Sequence, residues 1–232
     1  MRVWFALLVL LTVAAIPALT LSQSGSPQSP VEISGEPHHH PTFENDMVRV
    51  WQTVLPAGES TLWHRHNFDN VAVTISGAKV RAEPLQGSAV ESETKMGDVT
   101  FRAASYVHRA ISVGGTTYHN FLIELLKAPG GTKTSTPSKN GTERKPVFEN
   151  ERVRAYRLSL APGESLATHT HPYAGLALVL TAAEIAITTE GSKEIQRLKV
   201  SVGEARWRPG PVTHSIKNIG QTRFEAVDIE LK

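Results

Sequence analysis

The sequence predicts an all-β protein built from two similar domains of about 100 residues, each a sandwich or a barrel. Apolar and polar residues alternate in short segments separated by turn residues, as in Val48 to Leu55. No stretch after the N-terminal segment has a sustained helical period. In addition, much of the first half of the chain returns 105 residues later in the second half.

The repeat is clearest at the start of each half. From Phe43 to His66, 11 of 24 positions are identical to Phe148 to His171. After one inserted residue the match resumes, and Ile123-Glu124-Leu125 corresponds to Ile229-Glu230-Leu231 near the end of the chain. A repeat of this length is too long for a solenoid unit and indicates a duplicated domain.

Residues 1–22 are typical of a secretory signal peptide, because Arg2 is followed by an apolar run from Val3 to Ala18. The run is shorter than the roughly 20 residues that a membrane-spanning helix needs. No cysteine follows, which excludes an anchor of the bacterial lipoprotein type. We expect a secreted or periplasmic protein without a membrane partner after removal of the signal. An uncleaved N-terminal membrane anchor is the alternative.

Composition divides the remaining chain into four parts. Residues 23–40, rich in Ser, Pro and Gly, are predicted to be a flexible leader. A tract such as His38-His39-His40 can bind metal, but it is interpreted as a solvated turn because it has no counterpart in the second half. Residues 41–127 form the first predicted domain. Residues 128–145, again rich in Gly, Pro, Ser and Thr, are a predicted linker, and residues 146–232 form the second domain.

The chain contains no cysteine, so it has neither disulfides nor a thiolate metal site, and any metal must bind to nitrogen and oxygen. The 24 Lys and Arg residues nearly balance the 22 Asp and Glu residues, and both kinds are scattered. This pattern indicates neither nucleic acid nor an anionic membrane surface as a partner. The expected partner is a small molecule.

Histidines carry the strongest functional signal. His64 and His66 are one residue apart in the first half, and His169 and His171 repeat them in the second. Side chains at positions i and i+2 of a strand share one face, so each pair can contact one ion. A third histidine follows in each half. The predicted metal ligands are therefore His64, His66 and His108 in one half and His169, His171 and His214 in the other. A lone strand histidine is usually structural, but two matching sets of three favour ligation.

These residues resemble the two motifs of the cupin family of small jelly-roll barrels, G(X)5HXH(X)3-4E(X)6G and G(X)5PXG(X)2H(X)3N. The first half has Gly58, His64, His66, Asn70 and Gly77, then Gly97, Ala103, Ser105, His108 and Ser112. The second half has Gly163, His169, His171, Gly175 and Ala182, then Gly203, Pro209, Pro211, His214 and Asn218. The resemblance implies two tandem cupin barrels.

The chain departs from the family pattern at the glutamate that metal-binding cupins typically add to the three histidines. Asn70 and Gly175 occupy that position. Three neutral imidazoles suit a divalent transition metal (Fe, Mn, Zn, Ni or Cu) and leave coordination positions open. Asp69 is a possible substitute ligand, but strand alternation predicts that it faces away from His66.

Other residues near the motifs receive structural interpretations. His119, aligned with Glu225, is predicted to lie on a strand surface, and Phe101 and Trp207 are predicted to fill the barrel cores. Arg102 and Arg208 precede the third histidines by the same spacing, and they are interpreted as an outward-facing pair rather than as substrate clamps.

Two classes of function remain. In the first, which the resemblance suggests, the protein is a metal-dependent dioxygenase or isomerase acting on a small anionic chelating substrate, because three neutral ligands leave the full charge of the ion. In the second, it is a non-catalytic module that binds or senses a metal or a small acid. Against catalysis, the sequence shows no acid or base near the motifs except Glu59 and Glu164, which are expected in turns. We also expect the two barrels to pack on each other within one monomeric chain.

Overall fold

The computed structural model describes residues 29–127 and 145–232. The predicted signal peptide and nearly all of the predicted linker lie outside these ranges. The described residues form two tandem jelly-roll barrels, as predicted, and their one helical element is a 3-10 turn at Ile33–Gly35. None of the helical structure described is long and apolar enough to cross a membrane.

The first barrel consists of two five-stranded sheets. One sheet has the order β1-β4-β9-β6-β7 and the other β2-β3-β10-β5-β8. The strands are β1 (Val31–Glu32), β2 (His39–Glu44), β3 (Val48–Leu55), β4 (His64–His66), β5 (Asn70–Ser76), β6 (Lys79–Pro84), β7 (Val90–Glu93), β8 (Val99–Arg102), β9 (Tyr106–Ser112) and β10 (Tyr118–Leu125).

The second barrel repeats this arrangement with one strand fewer. Its sheets have the orders β11-β12-β19-β14-β17 and β13-β18-β15-β16. The strands are β11 (Phe148–Glu149), β12 (Val153–Leu160), β13 (Ser165–His171), β14 (Gly175–Val179), β15 (Ala183–Thr189), β16 (Ile195–Val200), β17 (Ala205–Arg208), β18 (Val212–Asn218) and β19 (Phe224–Leu231).

The additional strand of the first barrel corrects the prediction for the leader. From residue 29 onward the segment is packed rather than flexible: Val31 pairs in parallel with His64, and Ile33 is buried against Trp51 and Leu122. The buried carboxylate of Glu36 accepts hydrogen bonds from the backbone N–H groups of His38 and Leu62. The abundance of Ser, Pro and Gly led to the prediction of flexibility, although a few residues fix this segment to the barrel.

The barrels pack on each other through reciprocal contacts. Phe43 stacks on Trp207 with ring centroids 6.0 Å apart, and the aligned pair Phe101 and Phe148 stacks at 6.4 Å. One apolar core runs through both barrels, and it includes residues of β3, β5 and β10 together with residues of β12, β14 and β19. Phe101 and Trp207 therefore pack against the core at the contact between barrels.

Two aligned glycines receive a side chain from the opposite barrel. Gln52 donates to the carbonyl of Gly203 at 2.6 Å, and Arg157, which aligns with Gln52, donates to the carbonyl of Met96 at 2.7 Å, beside Gly97. Gly97 and Gly203 have φ angles of 84° and 83°, and a Cβ at either would lie within 2.8 Å of that visiting side chain. Glycine is required at both positions for conformation and for space. The contacts between the barrels thus have pseudo-twofold symmetry. The monomeric state of the chain stays a prediction.

Candidate metal centres

The second barrel brings its three predicted ligands together. His169 and His171 lie on β13, and His214 lies opposite His169 on β18. The three Nε2 atoms form a triangle: His169 to His171 is 3.0 Å, His171 to His214 is 3.1 Å, and His214 to His169 is 3.2 Å. Both β13 histidines are buried.

Hydrogen bonding fixes the tautomers of two of these rings. His169 donates Nδ1–H to the carbonyl of Ala167 at 2.8 Å, and His171 donates Nδ1–H to a carboxylate oxygen of Glu230 at 2.9 Å. A neutral imidazole with a proton on Nδ1 presents a lone pair on Nε2. Lone pairs of buried nitrogens thus face each other at contact distance, an arrangement that a cation between them would stabilise.

The spacing of the nitrogens fits a metal ion. With metal–nitrogen distances of about 2.1 Å, adjacent nitrogens are about 3.0 Å apart in an octahedron and about 3.4 Å apart in a tetrahedron. The observed separations of 3.0 to 3.2 Å lie within the range set by these two geometries. The donor set therefore fits a divalent ion with coordination positions left open.

The first barrel repeats the cluster on β4 and β9, where His64 lies opposite His108 in register. The Nε2 atoms of His66 and His108 are 3.1 Å apart, and one nitrogen from each of the three rings lies within 4.8 Å of the others. His64 donates Nδ1–H to the carbonyl of Leu62 at 2.8 Å, which leaves its buried Nε2 without a protein partner. The structure thus gathers both predicted sets of histidines.

Burial keeps these rings neutral. Desolvation is the largest cause that lowers the pKa of His64 to about 4, that of His108 to about 2 and that of His214 to about 3. Desolvation and the neighbouring imidazoles also lower the pKa of His66. Neutral imidazole is the form that binds a metal, so these four rings are in the ligating form at pH 7.

The two centres differ in the groups that orient their histidines. Glu230, buried on β19, accepts from His171, whereas the aligned Glu124 accepts from the indole N–H of Trp51 at 2.9 Å. Nδ1 of His66 is consequently buried without a hydrogen-bond partner. A carboxylate behind a histidine ligand fixes the ring and raises its basicity, and only the second centre has one.

The two barrels differ at the position of the fourth, carboxylate ligand. A Cβ on Gly175 would lie 2.1 Å from the carbonyl oxygen of Ile229, so no side chain fits there. In the first barrel, Asn70 is buried and accepts a hydrogen bond from Tyr106 at 3.2 Å. Asp69 accepts from the N–H of Ala104 and pairs with Arg152 of the second barrel, outside the centre as predicted.

A fourth histidine lies beside the first centre, and the sequence did not predict this position. His39 is buried, its ring centroid is 4.8 Å from that of His64, and its Nδ1 is 2.5 Å from the buried Glu36 carboxylate. The interpretation of its tract as a solvated turn is wrong for His39. The histidine tract itself was a signal for a functional histidine in this segment. The absence of a copy in the second half argued against that interpretation.

The prediction for Arg102 and Arg208 is also corrected, since both side chains line the cavities above the histidines, although Arg102 is exposed to solvent as well. Arg208 makes a two-point ion pair with Asp228, at 2.9 and 3.1 Å. Arg102 lies 3.5 Å from Nδ1 of His108 and over the ring of Tyr106, and it has no acidic partner among the described residues. His119 lies outside both centres, half-buried and 2.9 Å from Gln52.

Each centre opens into a cavity of its own barrel. The cavity of the first barrel has a volume of about 80 Å³ and is lined by His39, Asn70, Arg102, Tyr106 and several threonines in addition to the histidines. The cavity of the second barrel has a volume of about 360 Å³ and mainly apolar walls. The duplicated framework therefore surrounds two different spaces.

Comparison with known proteins gives the class of this fold. No family model matches the chain, and no curated protein sequence matches it. Solved structures do. AerE from Microcystis aeruginosa has a TM-score of 0.61 at 12% identity, with 85% of this chain and 98% of that chain covered. A cupin 2 conserved barrel domain protein from Leptotrichia buccalis has a TM-score of 0.51 at 15% identity, with coverages of 84% and 88%.

An oxalate decarboxylase from Bacillus subtilis, in a structure concerned with its Mn(II) centers, has a TM-score of 0.57 at 13% identity and covers 83% of this chain and 74% of that chain. At these identities the likeness concerns the fold. Fold and histidine clusters together define a protein of two tandem cupin barrels, whose histidine triads fit a divalent metal.

Proposed function

We propose that this chain is an exported two-barrel cupin that binds a divalent transition metal in each barrel, and that its first centre is an enzyme site for a small anionic chelating substrate. The reaction class is that of a metal-dependent dioxygenase or isomerase. The observation that carries the proposal is the convergence of three imidazoles in each barrel, with the three Nε2 atoms of the second barrel 3.0 to 3.2 Å apart. Export rests on residues 1–22 alone.

The charge of Arg102, unpaired among the described residues, supports the proposal that the substrate of the first centre is an anion. In the second barrel the aligned arginine is neutralised by Asp228, but the first barrel has Leu122 at the position of that aspartate. The charge of Arg102 therefore remains available beside His108, at the wall of the cavity. An arginine can hold a carboxylate through two parallel hydrogen bonds.

The small cavity supports a small substrate. A cavity of roughly 150 Å³ holds benzene, and the first cavity has about 80 Å³. This volume suits an acid with only a few carbon atoms. The likeness to oxalate decarboxylases, which are named for a two-carbon dicarboxylate, agrees with that size.

The Glu36–His39 pair supports catalysis over simple capture. Glu36 holds Nδ1 of His39 and leaves Nε2 as the nitrogen available to a molecule in the cavity. From this position Nε2 can orient a substrate hydroxyl or accept its proton, while the buried carboxylate stabilises the resulting imidazolium. A divalent metal at the triad would supply Lewis acidity towards a substrate oxygen. Arg102 and His39 thus provide the two functions, anion binding and proton transfer, that the histidine motifs lack.

The test begins with elemental analysis of untagged protein purified from its own compartment. We expect about two equivalents of transition metal per chain. Oxygen uptake and substrate depletion are then measured with small chelating carboxylic acids and diketones. Turnover that disappears in both Arg102→Ala and His39→Ala, with metal content retained, supports an enzyme. Stoichiometric metal with acid binding but no turnover identifies the alternative, a binding module. Absence of metal contradicts the proposed metal-dependent enzyme.

A further inference from the structure

The cavity of the second barrel is not explained by a small acid. It is more than four times as large as the cavity of the first barrel, with volumes of about 360 and 80 Å³. It adjoins His169 and His214, and its walls include Leu158, Ile187 and Phe224. Its space is thus continuous with the second histidine centre.

Several aligned positions contribute to the difference in polarity. Three side chains that are polar in the first cavity are apolar at the aligned positions of the second: Thr53 and Leu158, Thr61 and Leu166, Asn120 and Ala226. The strand registers agree with this alignment, since Asn120 lies opposite Thr53 and Ala226 lies opposite Leu158. The duplicated barrel has therefore exchanged hydrogen-bonding groups for hydrocarbon on the same cavity walls.

The charged groups at the second cavity are already paired. Arg208 is held at two points by Asp228, and Arg206 lies 2.5 Å from a carboxylate oxygen of Glu204. Since Asp228 also lines the cavity, a carboxylate ligand would face an acidic group there. Burying an unpaired charge is costly, and this favours a neutral ligand.

We propose that the second barrel binds a neutral, mainly apolar molecule of about 12 to 15 non-hydrogen atoms, the size of two rings, beside His169 and His214. The size follows from the cavity volume, because roughly 150 Å³ holds one benzene ring and the cavity has about 360 Å³. The two barrels are then specialised: the first takes a small anion and the second an apolar molecule.

This inference goes beyond the proposed function and does not depend on a metal in the second barrel. The apolar walls supply the affinity through removal of ligand surface from water. Binding should therefore survive removal of metal with a chelator. A loss of binding on metal removal would show that the metal holds the ligand, which would contradict this inference and leave the metal-site proposal intact.

The experiment is calorimetric titration of the full mature chain with two probes of matched size and shape, neutral 2-acetylnaphthalene and anionic 2-naphthoate. We expect one site per chain for the neutral probe and an affinity at least 10-fold lower for the anion. The double variant Leu158→Thr/Leu166→Thr gives the second cavity two polar residues of the first, and it should weaken binding of the neutral probe at least 10-fold.

Cavity-filling variants locate the probe. Ile216→Trp should abolish binding, and the control Ile216→Val should retain it, since Ile216 lines the cavity. Ala177→Leu is a smaller second filling variant in case the tryptophan variant does not fold, as judged by circular dichroism. Unchanged binding in a folded filling variant, tighter binding of naphthoate, or no saturable binding of the neutral probe would each overturn the proposal.

Discussion

His171 donates its Nδ1–H to the buried carboxylate of Glu230 at 2.9 Å, whereas His66, at the aligned position of the first barrel, has no acceptor for its Nδ1. The two centres have the same three histidine ligands but differ in the group that accepts the Nδ1 hydrogen bond of the second histidine. Their affinities for metal should therefore differ, and the variants below separate the two centres.

We expect Glu230→Gln to weaken metal binding at the second centre by about 10- to 100-fold, because loss of the carboxylate removes the group that orients and polarises His171. Competition with a metal-sensitive chelator measures the affinity. Glu124→Gln is the matched control, since Glu124 bonds Trp51 rather than a histidine. An equal loss of affinity in both variants would contradict the assignment.

Replacement of one histidine pair should empty one site only. His64→Ala/His66→Ala is expected to lower metal content to about half, and His169→Ala/His171→Ala to do the same, because the two centres lie in separate barrels and bind independently. Elemental analysis gives the result. His119→Ala serves as the control, since His119 bonds Gln52 away from both centres and its loss should leave metal content unchanged.

Acid should destabilise the metal-free protein. The pKa of His64 is lowered to about 4 and that of His214 to about 3 in the folded chain, from the ordinary histidine value of 6.5. Below pH 6.5 the unfolded chain binds protons at these positions and the folded chain does not, so stability is full above pH 6.5 and falls as the pH drops towards 4.

For His64 alone, the shift corresponds to about 3 kcal/mol at pH 4, at about 1.4 kcal/mol per pKa unit. Urea unfolding between pH 7.5 and 4.5 measures the trend, with His64→Gln as the comparison, which should have a shallower pH dependence. A stability that is constant over this range, or that rises on acidification, would contradict the neutral state of the buried rings.

Limited proteolysis should cut between Pro129 and Lys145, where the sequence lacks apolar residues, and yield two fragments of about 12 kDa. Because Phe43 stacks on Trp207 and Arg152 pairs with Asp69 across the barrels, we expect the fragments to co-elute on size exclusion. First cleavage within Val71 to Ile75, in the middle of β5, would overturn the predicted domain boundary.

Light scattering of the mature protein should give the mass of a single chain across a tenfold dilution, because the reciprocal contacts of Gln52 and Arg157 already join the two barrels. Fusion of two paired domains spares the entropy lost when separate chains associate. A dimer mass that persists at low micromolar concentration would show that another surface pairs the chains.

The sequence by itself determined the two-barrel fold and the histidines that meet. Alternation of apolar residues from Val48 to Leu55 is a local property, and the strand β3 has those bounds. Likewise, two histidines one residue apart must share a face of a strand. The repeat showed that the same constraints apply twice, which is why β12, from Val153 to Leu160, could be predicted as well.

Only the tertiary structure decided what surrounds the histidines. His39 joins the first centre because Val31 and Ile33 fix the preceding segment to the barrel, a contact between residues distant in sequence. Arg102 and Arg208 have the same spacing, yet Asp228 neutralises only the second. The size and charge of a cavity depend on side chains contributed by many strands. A local sequence pattern therefore cannot predict them.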